Sequence, residues 1–440
     1  MENWPAGILG IVLFAVGLLF RRSTKANFRV HGGLFVLQLL YSVSIWVLGQ
    51  SQLDLVPSDP FTTSLQFAVL FIALAAVGCV WLFGQEDGRT VSISLMASGL
   101  LLWFAVATSM ERLAVGFVGL AVLQMFGGSN ERPTVADWLS LVLGCLGLAM
   151  FQQQVALVGS LTAQTLGLVL FLPSLGWLTR WFPVPRFAGS ESNQSLISLL
   201  GTALLPRLII PVALVHLIRL IGSNEAPLPL LMPAAIIPLI LAAVRIRKSA
   251  SSREILDMAA LIPVAGGIGA IRLIVWDASH QRPDYTLGRA TPLLTGEQLL
   301  PVLLLVFAVA WIVTAVGLTQ RRDDNEALLT GWQAGRRLLA CLGLLSLAGI
   351  PPLPGYWWRL TLLTGLTIPH SRSSLTSLYD VQPGEFIFCG LLAGSFCLIA
   401  WPLVRLAVTT FQSLEPISPP MPSNIDISRQ SNDNGEPTTV

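Results

Sequence analysis

The run RRLLACLGLLSLAGIPPLPGYWWRLTLLTGL, Arg336 to Leu366, decides how this chain is read. It is apolar and long enough to cross a bilayer. Its middle is interrupted by Gly349-Ile350-Pro351-Pro352-Leu353-Pro354-Gly355. Proline brings no N–H to a helix and clashes with the turn before it. In lipid, such an interruption survives only where neighbouring groups or a polar cavity satisfy the freed backbone. The run therefore predicts a broken transmembrane helix packed inside a larger bundle.

The surrounding chain is of the same kind. Hydrophobic residues make up 53% of it and charged residues 11%, with a mean hydropathy of +0.70. A soluble domain carries roughly 25% charged residues. A span needs about 20 apolar residues. On that measure the sequence predicts an all-α polytopic membrane protein of about thirteen transmembrane helices. They fall near 5–20, 31–49, 63–84, 91–108, 113–127, 135–157, 161–182, 195–222, 227–246, 255–276, 296–319, 336–366 and 384–410. The tail 412–440 is polar, rich in Pro, Ser and Asn, and reads as disordered. The first run lacks a basic stretch before it and carries Arg21, Arg22, Lys25 and Arg29 after it, so it reads as a retained helix.

Loop charges orient the bundle. Basic residues follow span 1, span 9 (Arg245, Arg247, Lys248, Arg253) and span 11 (Arg321, Arg322, Arg336, Arg337). The positive-inside rule then places the N-terminus outside and the tail in the cytoplasm. A net charge of +2 gives no basis for nucleic-acid binding. Cys79, Cys145, Cys341, Cys389 and Cys397 lie in or near apolar runs with no CxxC pair, and read as core residues without metal or disulfide roles.

Span 7 is a second interrupted helix, with Pro173, Pro183 and Pro185. Two broken helices five spans apart predict inverted five-helix repeats. The chain then divides into an N-terminal three-helix segment (1–90), a first repeat (91–222), a second repeat (223–411) and the tail.

Ionisable groups inside a span are costly and usually functional. The candidates are Arg180, Arg207, His216, Arg219, Arg272 and Arg359. Arg219 and Arg272 sit near span ends and read as reaching the headgroups. For Arg207 and Arg359, function and structural pairing both stand. His216 reads as a packing residue or as the one group with a suitable ordinary pKa. Glu111, beside Arg112 and Ser109, reads as a polar turn or as a carboxylate just inside the membrane. The only lysines, Lys25 and Lys248, lie in loops.

From Arg322 to Arg359 the chain reads RDDNEALLTGWQAGRRLLACLGLLSLAGIPPLPGYWWR. An acidic loop, a Gly-containing turn, LSLAGIPP and a Gly-aromatic pair closely resemble subunit N of respiratory complex I. Its wider family includes the antiporter-like subunits of complex I and of multisubunit cation/proton antiporters. Gly176 to Arg180 with Val184-Pro185, and Pro206-Arg207, resemble the family's broken helix and Pro-Lys pair. The likeness runs over roughly residues 85–405.

The resemblance implies a fourteen-helix proton-carrying subunit with a glutamate in span 5 and lysines in spans 7, 8 and 12. The glutamate position falls on Val118, with Glu111 seven residues away. The lysine positions fall on Arg180, Arg207 and Arg359, which would line a polar axis at mid-membrane. About thirteen spans are expected from this sequence, one fewer than the resemblance implies. Arginine stays protonated in proteins and cannot give and recover a proton as lysine can.

The implied functions are a subunit-N-like membrane component of an NADH:quinone oxidoreductase-type complex, a component of a cation/proton antiporter, or a non-transporting scaffold. Implied partners are other complex I-type membrane subunits, the lipid bilayer, and protons or cations, in a bacterial inner membrane. No cofactor is expected on this chain, since no glycine-rich nucleotide fingerprint or cysteine cluster occurs.

Overall fold

The computed structural model describes residues 4–20, 36–42, 44, 60–83, 88–127, 134–156, 161–182, 196–221, 228–246, 251–279, 296–319, 330–367 and 383–412. Among these residues there are helices and turns and no strand. The helices are α1 (Trp4–Phe20), α2 (Pro60–Phe83), α3 (Gly88–Ala105), α4 (Met110–Gly127), α5 (Val135–Ala156), α6 (Leu161–Leu178) and α7 (Leu205–Ile221). They continue as α8 (Leu228–Ile246), α9 (Ser252–Ala259), α10 (Ile262–Ser279), α11 (Gly296–Leu318), α12 (Thr330–Ala348), α13 (Pro354–Thr367) and α14 (Pro383–Gln412). Span 2 is described only over 36–42 and 44, and the tail, Pro183 and Pro185 lie outside the described residues.

Among the described residues, six helical stretches are long and apolar enough to cross a bilayer: Phe61–Phe83, Val135–Gln152, Leu200–Ile221, Ser252–Val275, Gly296–Leu318 and Phe386–Gln412. Ala6–Leu19, Arg89–Ala105, Ala163–Leu178 and Leu230–Ile246 are apolar but shorter. The difference from thirteen has physical causes. Span 12 divides into α12 and α13, and α12 carries Arg336 and Arg337 near its start. Span 10 also divides, after Ala259. This break was not anticipated, and it follows from Pro263, which cannot donate to the carbonyl four residues before it.

Helix starts follow local chemistry. Proline opens α2, α13 and α14, where its missing N–H costs nothing and its fixed φ suits the helix. Thr134 and Asp137 cap α5 reciprocally: Thr134 N–H donates to Asp137 Oδ2 at 2.8 Å, and Asp137 N–H donates to Thr134 Oγ1 at 3.3 Å. Ser251 accepts from Glu254 N–H at 3.2 Å and starts α9.

Packing places α3 against α1, α2, α4 and α7, and α10 against α7, α8, α11 and α13. The α5–α6 pair is held by close backbone approach. A Cβ on Gly147 would lie 2.7 Å from Gly167 O, and one on Gly167 would lie 3.1 Å from Gly147 O. Small residues at such crossings let membrane helices gain packing energy that lipid cannot supply. The apolar sides of α5 and α14 are exposed at Val135, Trp138, Leu139, Val142, Phe386, Ile387 and Trp401.

Candidate functional site: charged joints at broken helices

Two of the broken helices end in the same way. In α6, Arg180 adopts φ +57°, and Trp181 N–H donates back to Gly176 O at 2.8 Å. In α12, Gly349 adopts φ +76°, and Ile350 N–H donates back to Leu345 O at 3.0 Å. A left-handed residue followed by an N–H reaching five residues back is a standard helix stop. At α12 glycine fills the left-handed position without cost. At α6 an arginine fills it. Pro173, by contrast, lies inside α6 and does not break it.

Arg359, a candidate from the sequence, and Arg336, read there as a loop charge, both meet the C-terminal carbonyls of a helix. Arg359, on α13, donates Nη1–H to Ala348 O at 2.5 Å and Nη2–H to Leu347 O. It also lies over the Phe396 ring of α14, 4.8 Å from the centroid. Arg359 thus reaches back across the Gly349–Leu353 break and satisfies the last carbonyls of α12. Arg336 does the same for α11, donating to Val316 O at 2.7 Å and to Thr319 O at 2.5 Å. A helix C-terminus carries partial negative charge and unpaired carbonyls, which a guanidinium with two parallel donors fits.

Arg207 is the most enclosed of the set, 1% exposed on α7. Its Nη1 lies 2.6 Å from Asp257 Oδ1 and also donates to Asp257 O. Its Nη2 donates to Arg180 O at 3.5 Å. One side chain therefore ties three elements: the turn ending α6, the start of α7 and the end of α9. Asp257 is itself 1% exposed. The neighbouring carbonyl, Leu256 O, accepts from the buried Trp311 Nε1–H of α11 at 2.8 Å.

The backbone before Arg207 is irregular. Leu200–Leu204 form a π-turn in which Leu205 N–H donates to Leu200 O. Pro206 has no N–H for Thr202 O, so the regular ladder cannot run through this segment. A small cavity of about 20 Å³, room for one water molecule, lies beside this turn. Gln124, Thr179, Arg180, Thr202 and Pro206 line it.

His216 is 3% exposed on α7, nine residues beyond Arg207. Glu111 is exposed in the first turn of α4 and accepts from Gln152 Nε2 of α5 at 3.3 Å. Val118 is 44% exposed, while Phe117 beside it is fully buried. The glutamate position of the resemblance thus faces away from the core. Arg219 is paired to Glu297 Oε1 at 2.9 Å and lies over Phe61 at 4.4 Å. Arg272 is 8% exposed and lies over Phe388 at 5.3 Å.

Sequence reasoning missed Asp257, which lies within span 10 and was not counted among the ionisable groups of the spans. The signal that could have found it is its place inside span 10, read as 255–276, on the helix that starts from the Ser251 cap. It also missed the Asp137–Trp177 bond, in which Trp177 Nε1–H donates to Asp137 Oδ1 at 2.9 Å.

At the level of sequence, no family profile and no curated protein matches the chain. Solved structures do. A chain of the Mrp complex from Dietzia sp. DQ12-45-1b superposes with a TM-score of 0.58 at 13% identity, covering 93% of this chain. This chain spans only 50% of that one. A chain of respiratory complex I from Thermus thermophilus with bound aureothin superposes with a TM-score of 0.55 at 15% identity. There the overlap covers 94% of this chain and 97% of the other. The fold is that of these membrane-complex chains, and the protein is an integral membrane protein.

Proposed function

We propose that this chain is an antiporter-like membrane subunit of a complex I-type assembly, the subunit-N-like component, in which the proton-relay positions have become structural. The carrying observation is that Arg359 and Arg207 are engaged at the ends of broken helices. A guanidinium does not release its proton, and here Nη1 and Nη2 of Arg359 meet carbonyls, and those of Arg207 meet carbonyls and a carboxylate. The coverage of 97% of a complex I chain, against 50% of an Mrp chain, favours the complex I-type component.

The two five-helix repeats belong to this reading. In the first set α3 packs against α4 and α7, α4 against α5, and α5 against α6. In the second, α8 packs against the α9–α10 pair and α14, α10 against α11, and α11 against α12. In both sets the fourth span is the one that ends in a left-handed turn. The partners are then other complex I-type membrane subunits and the lipid of a bacterial inner membrane, with the N-terminus outside and the tail in the cytoplasm.

A second reading, a component of a cation/proton antiporter, is favoured by one observation: Asp257 places a carboxylate in a span whose whole window is buried. Affinity purification of the full chain from its native membranes in mild detergent tests the first reading. Other antiporter-like membrane subunits of a complex I-type assembly should co-purify in fixed stoichiometry. A chain that purifies alone, or with subunits of a cation/proton antiporter, overturns it.

A further inference from the structure

We propose that α8, α9 and α14 form a site for one anionic phospholipid, with Arg245 and Arg405 holding its phosphate and the exposed apolar stripes of α8 and α14 carrying its acyl chains. The site depends on the membrane-spanning fold alone and not on which assembly the chain joins.

Packing brings the two arginines to one end of the bundle. Arg272 of α10 lies over Phe388 of α14, and a Cβ on Gly269 would meet Leu392 at 3.5 Å. Residue numbers rise along α14 as they fall along α10, so the two helices run antiparallel. The buried stretch Ser252–Val275 joins α10 to α9, and α9 packs on both α14 and α8. The start of α9 therefore lies beside the last turns of α14. The end of α8, at Ile246, is close to it along the chain, since α9 begins at Ser252. On α12, Cys341 Sγ–H donates to Ala407 O at 3.4 Å, which sets Arg337 at the same end.

Arg405 is exposed, and it stands in a stripe that is otherwise apolar: Leu398, Trp401 and Val408 are exposed at helical spacing on either side of it. It precedes the end of α14 at Gln412 by seven residues, about 10 Å along the helix axis. A charge at that depth on an exposed stripe is costly. The cost falls when the stem lies along apolar surface and the guanidinium reaches a headgroup. Arg245 is exposed in the last turn of α8. It follows a second exposed stripe, Ile237, Leu241 and Val244. Because α8 packs against α14, two apolar stripes end at two guanidiniums on neighbouring helices. A guanidinium offers paired N–H donors that match phosphate oxygens.

The charge at this end favours an anionic lipid over a zwitterionic one. Arg253 and Arg337 add to Arg245 and Arg405. Among the described residues here the carboxylates are Glu254 and Asp257, and Asp257 Oδ1 lies 2.6 Å from Arg207. Basic clusters between helices at the membrane surface are how anionic headgroups are recognised.

The test uses the full-length protein, with any subunits that co-purify, in vesicles containing phosphatidylglycerol or phosphatidylethanolamine with a photoactivatable diazirine in one acyl chain. Labelled peptides are read by mass spectrometry. Phosphatidylglycerol should label the α8 and α14 stripes in excess over phosphatidylethanolamine. Arg245→Gln and Arg405→Gln should each lower that excess by about fivefold, and raised salt should lower it in the wild type. Equal labelling by the two lipids overturns the proposal, as does an excess that survives the double substitution. Stripes left unlabelled by both lipids would show a face covered by protein, which also overturns it. Where the double variant does not fold, the comparison of the two lipids on the wild type decides.

Discussion

Arg180 and Gly349 hold the same position in two broken helices, at φ +57° and +76°, each followed by an N–H that donates five residues back. Only glycine occupies that backbone region without cost. The Cβ of Gly349→Ala would also meet Arg359 Nη1 at 2.6 Å. Gly349→Ala should lower stability by about 1–2 kcal/mol, read as an earlier thermal aggregation midpoint in detergent. Arg180→Gly should relieve backbone cost at its own site and leave the chain folded.

Arg359 is the cap of α12. Arg359→Ala leaves the Leu347 and Ala348 carbonyls without this donor, and should cost roughly 1–3 kcal/mol. Arg359→Lys keeps the charge and loses the two-pronged fit, so its loss should be smaller. The same thermal assay orders the three proteins. Equal losses for Ala and Lys would show that charge alone plays no part.

Asp137 joins three partners: Thr134 N–H and Oγ1–H at 2.8 Å each, and Trp177 Nε1–H at 2.9 Å. Asp137→Ala removes the carboxylate half of the α5 cap and the tie to the C-terminal end of α6. It should cost about 1–2 kcal/mol. Trp177→Phe, which removes only the tie, should cost less. Hydrogen exchange at the start of α5 should rise in the first variant and not in the second.

The α5–α6 crossing depends on absent side chains. In Gly147→Leu the first new carbon would already lie 2.7 Å from Gly167 O. The two helices must then part. Cysteines placed on facing sites of α5 and α6 should cross-link in the parent protein and lose that cross-link in Gly147→Leu.

Much of this architecture is readable from residue types. Gly349 to Gly355 declares a break, and the structure ends α12 there and starts α13 at Pro354. Arg359, ten residues past Gly349, is marked as unusual by its charge alone. Other features depend on contacts that spacing cannot reveal. Arg207 and Asp257 are 50 residues apart in sequence, and Asp257 follows a basic stretch that reads as a loop. The stop of α6 is made by Thr179 to Phe182, while the conspicuous Pro173 is accommodated within the helix. The exposure of Val118 depends on which side of α4 faces its neighbours. That side is set by packing against α3 and α5, and no periodicity is strong enough in a uniformly apolar helix to show it.

The non-conducting reading is tested most directly by proton flux. The purified full chain is reconstituted in proteoliposomes with a pH-sensitive dye under an imposed gradient, beside Arg359→Ala and protein-free vesicles. Wild-type vesicles should be as tight as protein-free ones, because the guanidiniums at the joints hold carbonyls and a carboxylate and pass no proton. Flux through the wild-type protein that disappears in Arg359→Ala would contradict this, and would mean that the arginine-lined joints still conduct.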